Sequence, residues 1–257
     1  MFEGTGKPLS DAGLAQATDD LSIDLPSLWA VIRVETSGCG FFQNRKPKIL
    51  FERHIFHRRT QGRFAAAAPD LSDPGAGGYA GGIAEYDRLA RAVALDRQAA
   101  LESVSWGLGQ VMGFNADSAG FADVEDLVKA MCESEDLQLR AMAGFIAHEG
   151  LSGFLENKDW RSFARRYNGP AFEKNDYDGK LREAHAQFAN RGTPDLRVRA
   201  AQLYLTYLGH DPRGVDGSFG TNSRTALKKF QQAEGVPATG ELDDETFRRL
   251  EQKAMPQ

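Results

Sequence analysis

The run from Leu28 to Val34 constrains this chain more than any other segment. It reads Leu28-Trp29-Ala30-Val31-Ile32-Arg33-Val34, apolar everywhere except Arg33. A surface helix needs one apolar stripe, whereas a segment apolar on almost all sides must be surrounded by other elements. Leu25-Pro26 opens it, with the proline near a first-turn position where its missing N–H is harmless. Thr36-Ser37-Gly38 closes it, and Gly38 can adopt the left-handed conformation that ends helices. A buried helix of this kind calls for a mainly helical domain built around it. It also delivers one carboxylate, Glu35, at its exit.

The rest of the chain supplies the surrounding elements. Apolar spacings of three and four predict helices over 10–20, 52–60, 86–95, 97–105, 108–112, 123–132, 135–148, 153–157, 160–167 and 177–189. Residues 41–51 read as a loop and a short strand. Residues 65–82 hold Pro69, Pro74 and Gly75, Gly77, Gly78, Gly81 and Gly82, an irregular excursion long enough to be functional or mobile. Gly192-Thr193-Pro194 marks a boundary, dividing the chain into residues 1–192 and 193–257. The second unit reads as three helices, with Thr221 and Asp243 or Asp244 as N-caps. At about 60 residues it lies near the lower limit for independent folding.

A net charge of -5 argues against a mainly electrostatic nucleic-acid binder and against a cationic membrane-disrupting mode. The unit 193–257 carries as many acidic as basic residues, so the acidic excess lies in 1–192. Cys39 and Cys132 are too few and too far apart for a disulfide framework and are expected to be reduced thiols. No apolar run approaches the ~18 residues of a membrane span, so no membrane insertion is expected. The N-terminus lacks a basic region followed by an apolar core, so no export signal is expected. A monomer is expected.

Glu35 suits one kind of chemistry. Cleaving a glycoside requires a proton at the leaving oxygen as the bond breaks. A carboxylic acid supplies it near neutral pH if apolar surroundings raise its pKa. Taken alone, the segment is also compatible with a solvated helix end. Three further segments change that balance. They are Ile49-Leu50-Phe51-Glu52-Arg53-His54-Ile55-Phe56, Ser105-Trp106-Gly107-Leu108-Gly109-Gln110-Val111-Met112-Gly113, and Tyr167-Asn168-Gly169-Pro170. Gly107 and Gly109 allow close backbone approach. Gln110 offers a donor and an acceptor, to an N-acetyl group or to Glu35. Tyr167 offers a ring face for a sugar and a hydroxyl for the acid. Trp106, Leu108, Val111 and Met112 read mostly as core.

With Ala30–Gly38, these segments make residues 25–188 resemble the phage and prophage N-acetylmuramidases, and more loosely the lytic transglycosylases and goose-type lysozymes. The resemblance implies a lysozyme-like, mainly α catalytic domain. It implies Glu35 as general acid, with Ser105, Gln110, Tyr167 and Asn168 along the cleft that binds peptidoglycan glycan strands. Glu52 stays open between a second carboxylate, as base or electrostatic partner, and an ion pair with Arg53 or a helix cap. Asp70 and Asp73 are weaker candidates. Residues 195–252 resemble the three-helix peptidoglycan-binding domain through Val198-Arg199-Ala200-Ala201-Gln202, Asp216-Gly217-Ser218-Phe219-Gly220 and Gly240-Glu241-Leu242. Its ligand groove is placed at Asp216, Gly217, Phe219, Gly220 and Thr221. Together these imply a lysis enzyme made in the host cytoplasm and acting on the periplasmic wall after release. The resemblance leaves hydrolysis and transglycosylation both open.

Two rival classes remain. Peptidoglycan-binding modules also accompany zinc amidases and peptidases. His54 and His57 have helical spacing, and His148-Glu149 is suggestive, but there is no His-Glu-x-x-His and no third ligand. No metal or organic cofactor is therefore expected. A non-enzymatic wall-binding protein is opposed by the intact Glu35, Gln110 and Tyr167-Asn168.

Overall fold

The computed structural model describes residues 2–169 and 172–255, so Pro170 of the Tyr-Asn-Gly-Pro segment lies outside the described residues. Among the described residues there are 13 α-helices and one three-stranded sheet. Helices α1 (Asp11–Leu21) and α2 (Leu25–Thr36) precede strand β1 (Ile49–Phe51) and α3 (Arg53–Arg59). After the glycine-rich excursion come α4 (Glu85–Leu95), α5 (Arg97–Glu102), β2 (Val104–Trp106) and β3 (Val111–Met112). Helices α6 (Val124–Glu133), α7 (Glu135–His148), α8 (Ser152–Glu156), α9 (Trp160–Tyr167) and α10 (Tyr177–Arg191) complete the larger unit. The smaller contains α11 (Leu196–Tyr207), α12 (Thr221–Ala233) and α13 (Asp244–Ala254).

Helix α2 is the buried helix that its sequence requires. Leu28, Trp29, Ala30, Val31 and Ile32 are each at most 1% exposed, five positions in a row. Asp24 starts the helix by accepting from the Ser27 N–H, and Pro26 occupies its first turn. Helix α10 packs along it, and α1 packs on α7. Several other helices begin at the caps their sequences supply, with Ser10, Asp123, Ser134, Asp159, Asp195 and Asp243 each accepting from a first-turn N–H.

Three expectations for local structure are corrected. The helix expected over 97–105 stops at Glu102, and 108–112 is not helical. Residues 104–112 form a hairpin instead, with β2 antiparallel to both β1 and β3 and Ser105 opposite Leu50 and Met112. The reason lies in the turn. Gly107 has φ +67°, and a Cβ there would sit 2.8 Å from the Gln138 side chain. At Gly109 a Cβ would sit 2.5 Å from Met142. The turn backbone therefore presses directly against α7, an approach open only to glycine. Thr221 does not cap α12 either; Gly220 holds the N-cap position and Thr221 is the first helical residue.

Cys39 and Cys132 are free, buried thiols. The two units each have an apolar core. A third small cluster joins them, made by Cys39 and Phe41 from the larger unit and Leu203 and Val215 from the smaller.

Candidate active site

Glu35 occupies the last turn of α2, where the chain leaves the core. Ser37 ends the helix in the left-handed conformation and Gly38 follows at φ +89°. The Glu35 residue is half-buried, while its carboxyl is enclosed by neighbours, and burial pushes its pKa from 4.5 up to about 8. The ionised form is poorly solvated there. Among the described residues, the Tyr177 hydroxyl reaches it directly and donates to Glu35 Oε1. Tyr177 is the first residue of α10 and is itself buried. It was not among the sequence candidates. Its only local mark is a position at the start of a helix, and the packing of α10 on α2 brings it to the acid.

Tyr167 is placed differently from the expectation. Its hydroxyl donates to the Gly109 carbonyl at 2.8 Å, and its ring stacks on Phe163 with centroids 5.0 Å apart. The hydroxyl expected at the acid thus comes from Tyr177. Tyr167 is still close enough that burial, aided by the Glu35 charge, holds its phenol well above the ordinary range. Asn168 ends α9 and is exposed.

Gln110 is also committed to the protein. Ser105 Oγ donates to its side-chain oxygen at 2.9 Å, and its Nε2 donates to the Gly107 carbonyl at 2.8 Å. Gln110 sits at φ +48°, so this amide braces a tight turn, and Glu35 is not among its partners. The hairpin is anchored below by Gln138, which is wholly buried. Gln138 accepts from the Leu108 N–H at 2.8 Å and donates to the Met131 carbonyl at 2.7 Å. Thr36, next to Glu35, donates to the Leu108 carbonyl at 3.1 Å, and Lys48 Nζ donates to the Thr36 carbonyl at 3.1 Å. The hairpin turn is therefore tied to the exit of the acid's own helix.

Glu52 follows β1, and its side chain is 16% exposed. It makes neither of the structural contacts weighed for it. It sits at the N-cap of α3 without a side-chain cap, and Arg53 turns to the Gly75 carbonyl at 2.8 Å. Its partners are the Tyr79 hydroxyl, at 3.0 and 3.1 Å from its two oxygens, and His54 Nδ1 at 3.1 Å. Tyr79 lies in the glycine-rich excursion, so this loop closes onto Glu52. The loop is held by Glu85, a fully buried carboxylate that accepts from the Ala80 and Gly81 N–H groups and pairs with Arg88. Asp70 is taken up by a two-point pair with Arg91, and Asp73 accepts from the Gly75 N–H. His57 meets Ser72 at 3.2 Å. Among the described residues no group of three or more His, Cys, Asp or Glu is arranged to hold a metal ion.

In the smaller unit, the Asp216–Thr221 loop is organised by buried Gln202. Its oxygen accepts from the Asp216 and Gly217 N–H groups, and its Nε2 donates to Asp216 Oδ1 and Ser223. Gly217 lies at φ +73°, where a Cβ would be 2.6 Å from Pro194. Asp216 and Gly217 face a cleft of about 610 Å³ against Trp29, Arg33 and Gly38 of the larger unit. Phe219 packs against the module's own core, under the Arg224 guanidinium. Gly220 and Thr221 begin α12 and are exposed.

Comparisons with known proteins agree with this architecture. The N-acetylmuramidase family matches residues 24–189, and a peptidoglycan binding domain family matches residues 195–250. The crystal structure of a Burkholderia AP3 phage endolysin is similar, with a TM-score of 0.66 and 41% identity over 72% of this chain and 73% of that one. A search of curated proteins returned no match. A buried acid helix, a hairpin bound to its exit and a family match spanning most of the chain converge: this protein belongs to the N-acetylmuramidase family and carries a C-terminal peptidoglycan-binding domain.

Proposed function

We propose that this modular endolysin cleaves the β-1,4 bond between N-acetylmuramic acid and N-acetylglucosamine, with Glu35 as the general acid. The observation that carries the reading is the Glu35 carboxyl, pushed to about 8 by burial and engaged on one oxygen by Tyr177. Tyr177 occupies Oε1, so the proton resides on Oε2, the oxygen left for the leaving group. At neutral pH the acid form predominates, as proton donation to a glycosidic oxygen requires. Tyr177 thus joins the site, as a group that orients the acid.

Glu52 is the second carboxylate of this reading. The Tyr79 hydroxyl reaches both of its oxygens and His54 lies against one of them, which places it to activate a water or to balance positive charge in the transition state. Ser105 and Gln110 act by shaping the turn beneath the glycan, while Tyr167 and exposed Asn168 line the cleft. Asp216 and Gly217 present the module's loop to the wall polymer, with Phe219, Gly220 and Thr221 supporting it. The module, taken as residues 193–257, concentrates the enzyme on an insoluble polymer.

No helix among the described residues is long and apolar enough to cross a membrane. The reading places synthesis in the host cytoplasm, action on the periplasmic wall after release, and a monomer as the working form. The deciding experiment is mass spectrometry of purified peptidoglycan digested by wild type and Glu35→Gln. Reducing muramic ends, absent from the mutant digest, are expected. Anhydromuramic ends would move the enzyme to transglycosylation. Cut stem peptides with intact glycan, or full activity in Glu35→Gln, would overturn the reading.

A further inference from the structure

The exit of α2 is gripped from several sides, and one grip comes from the other unit. Arg199 of α11 is 1% exposed, although it belongs to the peptidoglycan-binding module. Its Nε donates to the Gly38 carbonyl at 2.9 Å, and Nη2 donates to the same oxygen. Its remaining N–H groups pair with Glu135 of α7, which is wholly buried, with Nη2 at 2.8 Å from Oε1. Glu135 is itself fixed by the Leu9 N–H at 3.0 Å and the Gly40 N–H at 2.9 Å. Gly38 lies three residues after Glu35, and its carbonyl receives two donors from one planar fork. A Cβ on Gly38 would also lie 3.3 Å from the Val215 carbonyl of the module. A tethering module needs no such contact; its function requires only a chain connection.

We infer that Arg199 is a positioning residue for Glu35: it holds the Gly38 carbonyl, so that the docked wall-binding module fixes the last turn of the acid helix. The inference rests on Glu35 being the acid, as proposed above. The titratable and charged groups facing this end of α2 include Tyr177 from α10, Tyr167 from α9, Cys39 just beyond Gly38, Lys48 ahead of β1, Glu135 from α7, and Arg199 and Tyr207 from α11.

The test uses the full chain and soluble glycan oligomers lacking stem peptides, so that wall anchoring contributes nothing. Arg199→Lys keeps a cation beside Glu135 but loses the two-pronged hold on Gly38. It is expected to stay folded and to lose on the order of 10-fold in kcat with little change in KM, as small misplacements of a reacting group do. The alkaline limb of its pH profile should move to lower pH as the loosened turn admits water to Glu35. The double variant Arg199→Met/Glu135→Gln removes both buried charges and should show the same two changes. Wild-type kcat and pH profile in folded Arg199→Lys would overturn the inference, as would loss of folding in both variants, which would make the pair purely structural. Glu35→Gln, assayed in parallel, separates the two readings. Its full activity sinks the role of Glu35; an inactive Glu35→Gln beside an unchanged Arg199→Lys sinks only the brace.

Discussion

A carboxyl that holds its proton to about pH 8 makes folding depend on pH. An unfolded chain releases that proton near the ordinary value of 4.5, whereas the folded chain keeps it until about 8. Folding therefore takes up a proton between these values, and stability falls as pH rises through that window. Below it, both states are protonated and the Glu35 contribution is fully present. Glu35→Gln cannot ionise, so its melting temperature should match wild type at pH 4 and exceed it by roughly 9–18 °C at pH 9. Thermal melts at pH 4, 7 and 9 check this, and a constant gap would contradict it. Tyr177→Phe acts on the same carboxyl. Losing a donor to the ionised form raises the pKa, so the alkaline limb of activity should move up in pH while kcat falls about 10-fold. A limb that stays fixed or moves down would refute the hydrogen bond's assigned role. Glu35 was legible because an apolar run ends on it. Tyr177 was not, because it lies 142 residues away and no local pattern joins the two.

Elements with enough length declared themselves, α2 by its continuous apolar run and its two ends, α7 and α10 by their apolar spacing. The hairpin did not. Strands of three and two residues are too short for a period of two to appear, and Leu108, Val111 and Met112, at i, i+3 and i+4, also fit a helix face. What decides the hairpin is tertiary: β1 supplies a pairing edge, and α7 supplies Gln138. Gln138→Leu would keep the volume but leave the Leu108 N–H and Met131 carbonyl buried and unpaired, so a loss of about 2–4 kcal/mol is expected. Gly107→Ala meets both a positive φ and the Gln138 side chain, and should lose at least ~2 kcal/mol. Gly153→Ala is the matched control. It lies in α8 with open space around its added Cβ and should be neutral or slightly stabilising, by up to ~1 kcal/mol. Urea unfolding of the three variants tests the set. Equal losses at Gly107 and Gly153 would show that the close approach to α7 does not matter.

At the scale of the molecule, the two units are joined by more than the linker at Gly192-Thr193-Pro194. Leu203 and Val215 cover Cys39 and Phe41, Tyr207 donates to the Gly6 carbonyl at 2.7 Å, and Arg45 donates to the Ala254 carbonyl. None of this was legible. Arg199 reads as one cation within a binding-module motif, and Glu135 as a first-turn acid on a different helix. Two residues of opposite charge 64 positions apart carry no sign that they will meet in a shared core. The consequence concerns truncation. A chain ending at residue 192 would take Arg199 from Glu135 and from the Gly38 carbonyl, and would uncover Cys39 and Phe41. A typical domain has only ~5–15 kcal/mol in hand, so the isolated catalytic unit should melt well below the full chain. It should also cleave soluble glycan oligomers more slowly, although such substrates need no wall anchor. A module that acts only as a tether predicts the opposite, with an undiminished rate on soluble oligomers and a loss confined to intact wall. Assaying the truncated and full chains on both substrates distinguishes the two.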